Sequence, residues 1–111
     1  MPSALMVVLA AATPGQGEQF EQWYDERHMN DMLAVPGIIS ARRHAVVPMK
    51  LPGGVAGFDS LSIYEIEADD LNAVLEECGR RMGGAEMPTD PALDSARTLA
   101  VLALPKLAPG T

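Results

Sequence analysis

The stretch FEQWYDERHMNDMLAVPG, Phe20–Gly37, decides how this chain is read. At helical spacing, about 100° per residue, Phe20, Tyr24, His28, Asp31 and Val35 fall within one arc of roughly 80°. Trp23, Arg27 and Ala34 border that arc, while Glu18, Gln22, Asp25, Glu26 and Met29 point away from it. An ordinary buried stripe would hold aliphatic residues alone. This one holds a phenol, an imidazole and a carboxylate, and a buried polar group without a partner costs about 1–3 kcal/mol. Those groups either satisfy one another in a closed network or face a pocket.

The ends of the stretch agree with a helix. Val35-Pro36-Gly37 stops it, because the residue before a proline avoids the α region. Upstream, Thr13, Pro14 and Gln16 have the pattern of a capping box. Gly15 and Gly17 weaken that first turn, so the helix runs from near Gly17 to about Ala34. Before it, Ala4–Ala12 sets Leu5, Val7 and Leu9 on one face and Met6, Val8 and Ala10 on the other. A strand apolar on both faces needs cover on both.

Beyond the helix, Ile38–Val47 reads as a second strand, with Ile38, Ser40, Arg42, His44 and Val46 on one face. Pro48–Asp59 is a glycine- and proline-rich loop, and Leu61–Glu67 is a third strand. A second helix starts at Asp69 or Asp70, carries the stripe Leu71, Val74, Leu75, Cys78 and Met82, and ends at Gly83-Gly84. A polar loop through Ser95 leads to a last strand, Arg97–Leu104, and a tail from Pro105. The order β-α-β-β-α-β predicts an α+β, ferredoxin-like fold, a four-stranded antiparallel sheet with two helices on one face. The other face, apolar on the first and last strands, is expected to be covered by a second copy, giving a homodimer through the sheet faces.

Composition narrows the function. At 111 residues and 48% hydrophobic content the chain reads as one domain, 1–111, with a real core. Its net charge of −7 argues against nucleic acid and against anionic membrane surfaces as partners. A single cysteine excludes an intrachain disulfide and fits a reducing cytoplasm. The opening MPSALMVVLAAATPG has no basic n-region and reads as a strand rather than a signal peptide. No run reaches the roughly 18 apolar residues of a membrane span.

FEQWYDERHMNDMLAVPGIISARRH, followed by SIYEIEADD, resembles the dimeric α/β-barrel superfamily and, within it, the EthD-like proteins. Their first helix carries W-Y-D-x-x-H-x-x-D-x-L-x-x-P-G, matched here by Trp23, Tyr24, Asp25, His28, Asp31, Leu33, Pro36 and Gly37. Asn30 departs from the family, where many relatives place a proline before the aspartate. The resemblance implies a dimeric α/β barrel acting on small molecules. That superfamily spans cofactor-free lyases, isomerases, cyclases and monooxygenases, some haem-degrading members, and many proteins without assigned activity.

Each candidate residue has two readings. His28 is a general acid or base toward a small aromatic or enolisable molecule, or a satisfied histidine bonded to Tyr24 or Asp31. Asp31 orients His28, or pairs with Arg27. Tyr24 donates to a substrate oxygen, or to a backbone carbonyl. Phe20 and Trp23 are packing anchors that can also touch a ligand. Arg42 and His44, with Tyr64 from the third strand, line the pocket, or the two basic groups stand on an exposed face. Cys78 belongs to the core. The two histidines match no zinc spacing and no glycine-rich phosphate motif is present, so no metal and no cofactor is expected. Three functions stay open: a cofactor-independent lyase, isomerase or dehydratase; a haem- or small-ligand-binding or monooxygenase-type protein; and a non-catalytic accessory subunit.

Overall fold

The computed structural model describes residues 2–106. Its elements are β1 (Ser3–Ala10), α1 (Gly17–Trp23), a π-helical turn (Tyr24–His28), α2 (Met29–Leu33), β2 (Ile38–Ala45), β3 (Ser60–Glu67), α3 (Leu71–Arg81), a 3-10 turn (Ser95–Arg97) and β4 (Leu99–Ala103). The strands form one antiparallel sheet in the order β2-β3-β1-β4, the ferredoxin-like arrangement expected from the sequence. The expected tail from Leu107 onward lies outside the described residues.

The first helical stretch is one continuous rod, because the joints keep right-handed dihedrals: Tyr24 at φ −62°, ψ −51° and Met29 at φ −62°, ψ −40°. It begins at Gly17, and no side chain caps it. Thr13 is not its cap. The Thr13 hydroxyl donates instead to the Pro91 carbonyl at 2.7 Å. At the other end Val35 N–H reaches Met32 O at 3.0 Å, tightening the last turn before Pro36. In α3, Asp70 caps the helix through Ala73 N–H.

Pleating sorts the sheet residues. Ala4, Met6, Val8 and Ala10 of β1 share a side with Ser60, Ser62, Tyr64 and Ile66 of β3. That side packs against Phe20, Trp23, Tyr24, Met32, Val35, Val74 and Cys78. The opposite face carries Leu5, Val7, Leu9, Leu61, Ile63, Leu99 and Val101, of which Leu99 and Val101 are 56% and 61% exposed. Gly37 sits where the chain leaves α2 for β2 at φ 99°, and a Cβ there would meet Val74 Cγ2. Only glycine allows α3 so close.

One irregularity changes the reading of β2. A bulge between Ile38 and Ser40 shifts the pleat by one residue, so Ile38, Ala41 and Arg43 share the helix side, opposite Ile66, Tyr64 and Ser62. Arg42 and His44 therefore stand on the open sheet face, opposite Ile63 and Leu61, and both are exposed.

Candidate active site

Between the first helical rod, the sheet and α3 lies a cavity of about 400 Å³. Trp23, Tyr24, His28 and Met32 form its helical wall, Met6, Val8 and Tyr64 its floor, and Cys78 and Met82 the α3 side. Thr89, Leu93, Ser95, Thr98 and Ala100 close the remaining side. None of these side chains is a carboxylate, a lysine or an arginine.

The π turn shapes the helical wall. On an α-helix, residues five apart point about 140° away from each other. A π turn adds a residue and superposes them. Trp23 and His28 accordingly stack, with centroids 4.8 Å apart and planes inclined by 25°. Tyr24 meets the imidazole edge-on at 5.2 Å. The stack makes Trp23 part of the site itself, in addition to a packing anchor.

His28 is 8% exposed, and its Nδ1 is sealed off without a partner. Among the described residues no hydrogen bond forms to either ring nitrogen, so neither Tyr24 nor Asp31 satisfies it. Burial penalises the imidazolium and pulls the pKa from 6.5 to about 4; Asp31 opposes the shift and Arg43 adds to it. At neutral pH the ring is uncharged.

Asp31 takes the second of its two readings. Its Oδ2 accepts from Arg27 Nε at 2.8 Å, one helical turn away. Phe20 is fully buried behind Tyr24, edge-on at 5.2 Å, and is not part of the cavity wall. Arg42 and His44 do not line the cavity either, because the bulge turns them to the opposite sheet face. Tyr64 does line it, with its hydroxyl 3.5 Å from Met29 Sδ. Burial raises the pKa of both Tyr24 and Tyr64, so both phenols keep their protons. Ser62 lies beside both, fully buried, without a hydrogen bond of good geometry.

Arg43, not Arg42, is the arginine on the helix side of β2. Its guanidinium lies 4.3 Å from the Tyr24 ring centroid and bonds Asp25 at 2.6 Å, Glu21 at 2.8 Å and Ser60 Oγ at 3.1 Å. It pins the rear of Tyr24 from outside the cavity. Cys78 is core, as expected, and also touches the cavity, with burial raising its thiol pKa.

Among the described residues no group of three His, Cys, Asp or Glu could hold a metal ion. A haem brings two propionates, and this wall offers them no cation.

No family model and no curated protein matches the chain. Solved structures do. An EthD family protein from Bacillus halodurans superposes with TM-score 0.51 at 14% identity, covering 96% of this chain and 100% of that one. A dimeric ferredoxin-like protein of unknown function from Thermobifida fusca gives 0.53 at 18% identity, over 93% and 91% of the two chains. The fold shared with these proteins is the ferredoxin-like α+β fold. A monooxygenase from the gene ActVA-Orf6 of Streptomyces coelicolor was solved in complex with the ligand nanaomycin D. It aligns at TM-score 0.54 and 15% identity, over 96% of this chain and 89% of its own. At such identities the ferredoxin-like fold is shared and the chemistry is a separate question. No helix among the described residues is long and apolar enough to cross a membrane.

Proposed function

We propose that this chain is a cofactor-independent enzyme that binds a small, uncharged aromatic or enolisable molecule in the cavity and exchanges a proton with it through His28. The observation that carries this reading is a buried, neutral imidazole with no hydrogen bond, set in the wall of an otherwise apolar cavity. A structural histidine would be satisfied by a neighbour. The charge-free wall selects against carboxylates, which would be desolvated without a counter-ion.

The chemistry follows from the protonation states. A neutral His28 takes a proton from a hydroxyl or an α-carbon of the ligand. The resulting imidazolium is tolerated because the ligand oxygen beside it becomes negative. Tyr24 and Tyr64, kept protonated by burial, donate to that oxygen. The enolate is then reprotonated elsewhere, as in an isomerase, or expels a leaving group, as in a lyase or dehydratase. A second reading is favoured by the monooxygenase named among the fold neighbours: the same carbanion forms a carbon–oxygen bond with dioxygen. The functional unit is a cytoplasmic single domain, paired with a second copy across the open face that carries Leu5, Leu99 and Val101.

The test is solvent deuterium incorporation into a panel of uncharged enolisable ketones and lactones, followed by NMR. The wild type exchanges the α-proton of at least one, and His28→Gln slows that exchange by about 10²–10⁴-fold. Oxygen uptake by the same mixtures separates the second reading. Equal exchange by both proteins would refute the role of His28.

A further inference from the structure

The rod that carries His28 is also fastened to the segment that closes the cavity. Gln19 Nε2 donates to Asp90 Oδ1 at 2.8 Å, Trp23 Nε1 to Pro88 O at 3.3 Å, and Arg27 Nη2 to Ala85 O at 3.0 Å. The three donors are four residues apart while their acceptors run backwards, so residues 85–90 lie antiparallel along one stripe of the rod. Asp31 is the next residue of that stripe, and it holds the Nε edge of Arg27 while Nη2 reaches the loop. Thr89, Leu93 and Ser95 of the same segment touch the cavity.

Trp23 is the middle fastening and also the residue stacked on His28. One side chain therefore touches both the imidazole and the wall that a ligand would press against. We propose that Trp23 is a positioning residue that couples the two: its indole face fixes the plane of the His28 ring, and its N–H fixes the loop, on which Asp31 acts through Arg27. The proposal rests on the cavity being the functional site and adds how that site senses its contents. A ligand that shifts Thr89 or Leu93 pulls on Pro88, hence on the indole, hence on the imidazole. The rod then has two stripes in this chain: Gln19, Trp23, Arg27 and Asp31 run along the loop, Tyr24 and His28 face the cavity, and Trp23 touches both.

The test needs no substrate. The chain has two histidines and one tryptophan, so His28 and the indole N–H are assigned by NMR with His44→Gln as the control. Two quantities are read: the protonation midpoint of His28, and hydrogen exchange at Met87, Ala92, Leu93 and Asp94, whose amides are bonded in this segment. Tyr24, Tyr64 and Cys78 face the cavity with the imidazole, and Asp31 and Arg43 are the charges that act on it, so all five stay in place in the Trp23 variants. Trp23→Leu is expected to raise the midpoint by about one unit or more toward 6.5, as water reaches the unstacked ring. Trp23→Phe keeps a stacking face, so the midpoint holds while the loop amides exchange about tenfold faster. Arg27→Gln and Asp31→Asn accelerate the same amides, and the double variant accelerates them no further than the stronger single one.

A folded Trp23→Leu with an unmoved midpoint overturns the coupling. If that variant does not fold, unchanged loop exchange in Trp23→Phe overturns it equally. Asp31→Asn removes a charge that acts on His28, so its midpoint falls in either case; loop amides left untouched by that variant would overturn the link from Asp31 through Arg27 to the loop. These readings are independent of turnover: if they hold and no compound is turned over, the enzymatic reading fails while the coupling stands.

Discussion

Burying a neutral histidine makes the fold sensitive to acid in a calculable way. The folded pKa of His28 is about 4 against an ordinary 6.5, so the unfolded chain takes up its proton first as the pH falls. Its contribution to stability is whole above about pH 6.5 and drains away as the pH drops toward 4. Comparing the two protonation equilibria gives a loss of about 2–3 kcal/mol between pH 7 and pH 4.5 from this one group. His28→Gln cannot titrate. Whatever the glutamine costs is nearly the same at both values and cancels in the difference. Urea unfolding at fixed protomer concentration, followed by Trp23 fluorescence, should show the wild type losing about 2–3 kcal/mol more than the variant over that range. Carboxylate titration affects both proteins alike. Equal losses, within about 0.5 kcal/mol, would mean that the imidazole is solvated or ion-paired in the native state, and the account of the site would fall with it.

The same pKa fixes the acid limb of activity. On any confirmed substrate, kcat/KM should fall below an apparent pKa near 4 rather than 6.5, because His28 must be neutral to accept a proton; a limb at 6.5 would contradict this. Arg43→Met breaks a partly buried guanidinium away from Asp25, Glu21 and Ser60 and uncovers Tyr24, so it should lower unfolding free energy by about 1–3 kcal/mol in denaturant titrations. Arg42→Met should leave stability within about 0.5 kcal/mol, since that side chain is exposed on the other face. If the proposed pairing uses the open apolar face, Leu99→Glu should halve the mass seen by light scattering relative to wild type without unfolding the chain; a dimeric mass unchanged by the substitution, or a monomeric wild type, would overturn that pairing. Cys78→Ala should cost about 1–2 kcal/mol and keep activity, as expected of a core thiol that only brushes the cavity.

The fold was legible because each strand and helix announces itself within its own few residues. The two-faced apolar runs of β1 and β4, the Pro36-Gly37 stop and the α3 stripe depend on local periodicity alone. The site was legible only in part. Tyr24 and His28 of the arc come to one cavity with Tyr64 from the third strand, whereas Phe20 and Asp31 of the same arc do not line it. Arg42 and His44 do not, because one bulge at Ile38–Ser40 reverses the faces of β2. No feature of the residues there marks it. The Trp23–His28 stack escapes a 100° wheel for the same reason: a π turn inserts one residue, and its i to i+5 pairing is invisible to a fixed period. Asp31 had two partners within reach, and spacing alone does not rank an arginine four residues back against a histidine three back. Thr89, Leu93, Ser95 and Thr98 come from an irregular segment with no period to read.

Three of the side chains around the cavity, Met6, Met32 and Met82, are methionines, approaching from the sheet, the first helical rod and the residue just after α3 respectively. An unbranched thioether bends at each of three bonds and tolerates neighbours of several shapes. Walls of this kind mould themselves to a guest instead of excluding it by outline. Discrimination among guests then falls to the few fixed points that do not yield, the imidazole and the two phenols. Compounds of different ring count or branching should share the chamber if their oxygens fall at the same places, whereas moving one oxygen by a single ring position should be enough to lose binding.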